Sequence, residues 1–265
     1  MRTAGLAREV IHGALHHRLN GEAAKTAYYL FLSLFPLLLV VFALTGLAGG
    51  HRVFDLIATR LEHAAPRDAA RFLERLVRGV TDSRRPDILS LGIVLALWTG
   101  SNIFVALMQG LNRVSEIQER RRWWRRRLIA IGALAASMVL LVASALLLLA
   151  GGRLGAAAGL GHAMTILRYP LTFGMLALLL AFLYSVLPDR DRRPDPKALA
   201  AGATVGAAVW YLATAGFRFY IEHVKDYDRA YGFVAAVIVL LLWLYLAAYA
   251  ALFGCEVMAV LERRR

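Results

Sequence analysis

Six long apolar runs alternate with short polar segments along the chain, at about 27–47, 88–110, 128–150, 167–187, 198–217 and 233–253. Each has the ~20 residues that an α-helix needs to cross a hydrocarbon core of ~30 Å. Within lipid every backbone N–H and C=O must be satisfied inside the segment, so runs of this length predict helices. The pattern predicts an all-α integral membrane bundle of six transmembrane helices, forming a single membrane domain over 1–265. The first run is not expected to be a cleavable signal peptide, because about 26 residues precede it and five more spans follow.

Two further helical signals lie outside the runs. Within the first 26 residues, Leu6, Val10, Ala14 and Leu15 share one face of a helix over 5–22, opposite Arg8, His12 and Arg18. This predicts an interfacial helix on the inner leaflet. In the 48–87 segment, Phe54, Ile57 and Leu61 precede Pro66, and Phe72, Leu73, Leu76 and Val80 follow it. That spacing predicts two short amphipathic helices that either cap the bundle on the outside or lie flat on the outer leaflet.

Charge orients the runs. The chain carries a formal net charge of +13, and 18 of its 31 lysines and arginines fall on one side if both termini are cytoplasmic. They include Arg113, Arg120–Arg122, Arg125–Arg127, Arg190, Arg192, Arg193, Lys197 and Arg263–Arg265. Eight of the basic residues opposite belong to the long 48–87 segment, which weighs less in the positive-inside rule. An N-in, C-in topology follows, with anionic lipid head groups as the expected partners. Trp123 and Trp124 among arginines suit a membrane interface; the same interleaving stacks on RNA elsewhere, but its place between two membrane runs argues against a nucleic-acid partner.

The chemistry-bearing residues are few. A lone Cys255 excludes an intrachain disulfide and a cysteine-based zinc cage. His12 and His16 stand at i, i+4, without the H-E-x-x-H context of a metal site. No metal and no cofactor is expected. Pro36 removes a hydrogen bond in the middle of the first run, making it a candidate hinge. Asn102, Gln109, Asn112 and Glu116 recur at intervals of seven, three and four, a polar stripe that is either interhelical glue or a cavity wall. Gly202 and Gly206 have the spacing of close helix packing. Tyr211, Thr214 and Arg218 line the outward end of the fifth run, and Tyr245, Tyr249 and Glu256 one face of the sixth. Glu256, near the inner boundary, either reaches water or, facing inward, is a candidate proton relay or basic-substrate site. Arg218, with Tyr227 and Tyr231, either grips an anionic head group at a cavity mouth or snorkels to the outer leaflet.

Several blocks resemble the YihY/BrkB family of six-span bacterial inner-membrane proteins, formerly labelled ribonuclease BN. They are Ala27-Tyr28-Tyr29, Ser33-Leu34-Phe35-Pro36, Leu91-Gly92-Ile93, Ala96-Leu97-Trp98, Leu111-Asn112, Tyr231-Gly232, Ala236 to Leu246, Gly254 and Glu256. The chain departs from the family where Val114-Ser115 replaces a Tyr-Gly pair and where Asp195-Pro196-Lys197 replaces Pro-Gly-Ala. The resemblance implies the six-span fold and an association with movement of lipids or other amphiphiles. Metal-dependent RNA hydrolysis needs clustered His and carboxylates, which the sequence does not offer, so an enzyme is not expected. The expected function is a transporter or exporter of an amphiphile such as a lipid or lipid precursor; the alternative is a non-transporting envelope scaffold.

Overall fold

The computed structural model describes residues 2–47, 86–157, 161–223 and 227–264. Among them are seven helices and no strand: α1 Arg2–His16, α2 Leu19–Leu47, α3 Pro86–Val114, α4 Trp123–Ala157, α5 Gly161–Val186, α6 Pro196–His223 and α7 Tyr227–Arg263. The expected 48–87 cap lies outside the described residues, apart from its last two, which open α3.

Local chemistry explains the ends of these helices. Asp195 caps α6, its Oδ2 accepting the Ala198 N–H at 2.9 Å, and Pro196 takes the first helical position, where its missing N–H costs nothing. The Asp-Pro-Lys departure from the family pattern is thus a helix start. At the end of α3, Ile117 N–H bonds Asn112 C=O at 2.8 Å and Glu116 N–H bonds Arg113 C=O at 3.1 Å. Glu116 closes this double turn with φ 56°, a left-handed conformation usually left to glycine. The predicted polar stripe therefore leaves the helix before its last member.

The expected helix over 5–22 is two helices. The chain turns at His17–Arg18, with Arg18 at φ 52°, and α2 begins at Leu19, about two turns before the apolar run. The break lets α1 dock on the last turns of α7, where Val10 packs with Val257 and Val260. Leu15, assigned to the apolar face from its spacing, is 69% exposed, while Val10 and Ala14 are buried. A second tether joins Glu9 to Arg264, whose Nε donates at 2.8 Å. That hydrogen bond holds the Glu9 carboxyl below its ordinary range, so the tether is intact above that range and weakens as pH falls through it.

The six long helices pack in chain order, α2 on α3, α3 on α4, and so on to α7, which returns to α2 and closes the ring. The start of α2, the end of α3, the starts of α4 and α6 and the ends of α5 and α7 all meet at one end of the bundle. Successive helices therefore alternate in direction. Three described stretches are long and apolar enough to cross a membrane, Val94–Val114, Pro196–Tyr220 and Val237–Arg263, and Pro170–Val186 is a shorter apolar one.

The tightest packing is between α6 and α7. Gly202 and Gly206 are buried, and Gly254 of α7 faces them. A methyl group on Gly202 would lie 2.6 Å from the Gly254 carbonyl oxygen. The small-residue spacing in α6 lets the two backbones touch, where dispersion rather than a hydrophobic driving force holds helices together in lipid. Tyr184 of α5 is fully buried against this crossing and donates its hydroxyl hydrogen bond to the Ala251 carbonyl. The surrounding core includes Leu19, Met108, Leu111, Ala133, Leu187, Leu252 and Met258.

Candidate functional site

The end of the bundle where α1, α2, α3 and α7 meet holds a buried ionisable cluster. Glu256 has no solvent exposure although it lies within the apolar stretch Val237–Arg263. An isolated carboxylate there would be costly, so its partners are part of the fold. His17 Nδ1 lies 2.7 Å from Glu256 Oε2, and Arg263 Nη2 donates to Oε1 at 3.1 Å. Arg263 uses its other nitrogen on Glu116 Oε1 at 2.8 Å. Glu116 Oε1 in turn lies 3.5 Å from His17 Nε2, which is buried and makes no hydrogen bond with a described residue. Four residues from three segments form a closed circuit: His17 from the α1–α2 turn, Glu116 from the turn after α3, and Glu256 and Arg263 from α7. His17, 7% exposed, stands between two carboxylates and lies within hydrogen-bond distance of one of them.

Gly13 makes room for this circuit. A side chain there would run into the Glu256 carboxylate, whose position its two partners fix. Glycine is required by close approach rather than by backbone conformation. A smaller cavity of about 300 Å³ adjoins the circuit, bounded by Ser115, Glu116, Arg190, Glu262 and Arg263.

Beside the circuit, Asn112 pins together two loops far apart in sequence. Its side-chain oxygen accepts the Asp189 N–H at 2.9 Å, and its nitrogen donates to Glu119 at 2.9 Å. Arg121, 8% exposed, binds Glu119 with two nitrogens and the Leu187 carbonyl at 2.7 Å. Arg190 bridges Glu262 at 2.6 Å and Ser115 at 2.9 Å. Between the loops opens a cavity of about 1190 Å³ with seven arginines in its lining.

The other sequence candidates are distributed. Asn102 is half-buried and accepts from Arg127 at 2.7 Å, whose guanidinium lies 3.9 Å over the Trp98 ring. Gln109 is exposed and accepts from Lys25 at 3.1 Å. The stripe thus splits: only Asn112 and Glu116 join Glu256 at the ionisable end. Tyr245 donates to Asn20 at 3.3 Å, and Tyr249 lies between Tyr245 and Phe253 with ring centroids 6.2 Å from each. Tyr211 donates to Thr172 of α5 at 2.7 Å, and Arg218 is exposed farther along α6. The side chains of Tyr227 and Tyr231 lie outside the described residues. Pro36 lies inside α2, which continues through it.

His17, Arg263, Gly13 and Arg121 were not singled out from the sequence. His12 and His16 carried the metal-ligand spacing, yet both are exposed and their neighbour is the buried one. Among the described residues no three His, Cys, Asp or Glu side chains are grouped so as to hold a metal ion.

Comparison with known proteins bears on the whole chain. The "Virulence factor BrkB" family model matches residues 10–265. A ribonuclease-like protein of Bacillus subtilis, YfkH, is 28% identical over 257 residues, 94% of this chain and 92% of the relative. A UPF0761 membrane protein of Aeromonas salmonicida is 29% identical over 257 residues, covering 93% and 85%. One from Pseudoalteromonas atlantica is 36% identical over 80 residues, 30% of this chain and 26% of the relative. No solved structure matches the chain. With a family model spanning both the ionisable circuit and the arginine-lined loops, the chain is a membrane protein belonging to the BrkB family.

Proposed function

We propose that this protein is a transporter or exporter of an amphiphile, such as a lipid or lipid precursor, with Glu256 and His17 as its proton-responsive centre. The observation that carries the reading is the fully buried Glu256, bonded to His17 of the α1–α2 turn and Arg263 of α7. Ionisable groups within apolar helices are costly, and they are characteristic of substrate paths and proton relays. Protonating Glu256 removes the negative charge that holds Arg263 and His17, loosening α1 from the end of α7. A carboxylate that ties the α1–α2 turn to α7 when charged gives alternating access something to act on.

In this reading all six long helices cross the bacterial inner membrane as one domain, 48–87 lies outside, and both termini are cytoplasmic. The arginines at the shared bundle end support that orientation. Reporter fusions after Arg127 and at the C-terminus should report cytoplasm and one near Pro66 the periplasm; a cytoplasmic signal at Pro66 refutes the topology.

The transport test is reconstitution in proteoliposomes containing fluorescent phosphatidylethanolamine, phosphatidylglycerol or a polyprenyl phosphate, with and without a pH gradient. Wild type should accelerate transbilayer movement of at least one of them, and correctly folded Glu256→Gln should not. The alternative, a non-transporting envelope scaffold, is favoured by a different observation. Tyr184, Leu252 and Met258 fill the interior, and the large cavity opens among the arginines rather than between Asn102, Gln109 and Tyr245. Movement no faster than in protein-free vesicles for every lipid would leave the scaffold standing. Either way we read the chain as a non-enzyme, and RNA cleavage by pure protein that a point substitution abolished would overturn that.

A further inference from the structure

We propose that the cavity between the 115–122 and 187–195 loops is a binding site for a phosphate-bearing anion of two or more charges. The site is independent of transport and would be occupied in a scaffold as well as in a transporter.

The lining contains Arg120, Arg121, Arg122, Arg125, Arg190, Arg192 and Arg193 against Glu116, Asp189, Asp191 and Glu262. Most of these carboxylates are already engaged. Glu116 is held by Arg263, Glu262 by Arg190 and the Asp195 N–H, and Asp189 accepts the Arg120 N–H and lies 3.4 Å from Arg121. Arg120, Arg122, Arg125, Arg192 and Arg193 make no ion pair among the described residues. Five unpaired guanidiniums around one concavity repel each other, and such a cleft concentrates anions.

The arginines are also held in place. Asn112 and Arg121 tie the two loops together across more than sixty residues of sequence, as the Arg121–Leu187 and Asn112–Asp189 bonds show. Their convergence does not depend on the ligand. Arg190, 12% exposed, keeps a buried Nε with no hydrogen-bond partner among the described residues. The first turn of α4 contributes Trp124 and Arg125, and the positive end of the helix dipole adds to the potential there. Guanidinium forks match phosphate oxygens two at a time, and several forks together select charge above that of a single carboxylate. Trp124 supplies an apolar wall next to them, suited to the carbon chain or glycerol attached to a phosphate.

The source of the phosphate, a lipid head group or a soluble molecule, is separated by two probes. Full-length protein in an uncharged detergent is titrated with inorganic pyrophosphate by calorimetry, and cardiolipin bound from mixed micelles is counted by native mass spectrometry. The test variants are Arg122→Gln/Arg125→Gln and Arg192→Gln/Arg193→Gln, all at exposed positions where the fold does not depend on them. The control is Arg8→Gln/Arg18→Gln, which removes the same charge near the same end but outside the cavity. Each test pair should weaken binding about tenfold or more, the control less than about twofold. Arg192→Lys/Arg193→Lys should recover only part of the loss, because charge without the fork is not enough. Binding of pyrophosphate alone identifies a soluble ligand, and binding of cardiolipin alone a lipid; both support the site. Equal losses in test and control variants, full recovery by lysine, or no binding of either probe would overturn it. So would tighter binding of a single-stranded RNA lost in the same variants, which would make the surface a nucleic-acid interface.

Discussion

Gly254→Ala is expected to destabilise the folded protein by about 3 kcal/mol, at the upper end of ordinary overpacking costs. The added methyl would meet the Tyr184 hydroxyl at 2.5 Å, the Gly202 carbonyl oxygen at 2.6 Å and the Gly206 Cα at 2.7 Å. Two of these are backbone atoms of the facing helix, so no rotamer change relieves the clash. Helix α6 must move away from α7, and the dispersion contacts along the crossing are lost with it. The hydrogen bond from Tyr184 to Ala251 is disturbed at the same time. Gly132→Ala in α4 is the control: nothing lies within 4 Å of its added methyl, so replacing a helical glycine there should be neutral or stabilising by about 0.5–1 kcal/mol. Unfolding in mild detergent against increasing SDS measures both. Equal stability of Gly254→Ala and Gly132→Ala would mean that α6 and α7 do not cross through these glycines.

Glu256→Ala should be similarly severe, on the order of 3–5 kcal/mol, the usual cost of removing one member of a buried ion pair. The loss has three parts: His17 and Arg263 lose a shared acceptor, and a fully enclosed side chain leaves a void. Glu256→Gln keeps the volume and one acceptor oxygen and should cost clearly less. Pairing Glu256→Ala with His17→Ala in a double-mutant cycle should give a coupling energy of about 1–3 kcal/mol, since each single change removes the same contact. The expected side effect is local: α1 should become protease-sensitive while α3 to α6 stay protected. A coupling energy indistinguishable from zero would show that the two side chains do not meet in the folded protein.

These two sites differ in how far they could be read from residues alone. The Gly202–Gly206 spacing was visible because a helix repeats on itself every few residues, so one surface can be read without its neighbour. Its counterpart, Gly254, was visible only as a family match, since a single glycine in an apolar helix has no pattern. The polar stripe of α3 was legible for the same periodic reason. Its fate was not, because the left-handed turn at Glu116 ends the helix and the partners of each amide come from other segments. The helix over 5–22 was overextended because hydrophobic spacing does not register a turn whose cause is docking on α7. Leu15 sits on the same helix as Val10 and Ala14 but about 100° around its axis from Ala14, and so points away from α7.

Sequence by itself determined the helical class and the six long helices, because hydrophobic length is a local property and lipid admits no other backbone solution for it. It also determined the family, through short blocks of residues in order. Tertiary structure alone decided that Glu256 is enclosed rather than reaching water, since its partner His17 stands 239 residues away and no periodicity links them. It alone decided that the arginines after α3 and those after α5 share one cavity. Their convergence rests on Asn112 and Arg121 bonding across the two loops, and contacts between distant segments are settled by packing, not by the spacing of residues along the chain.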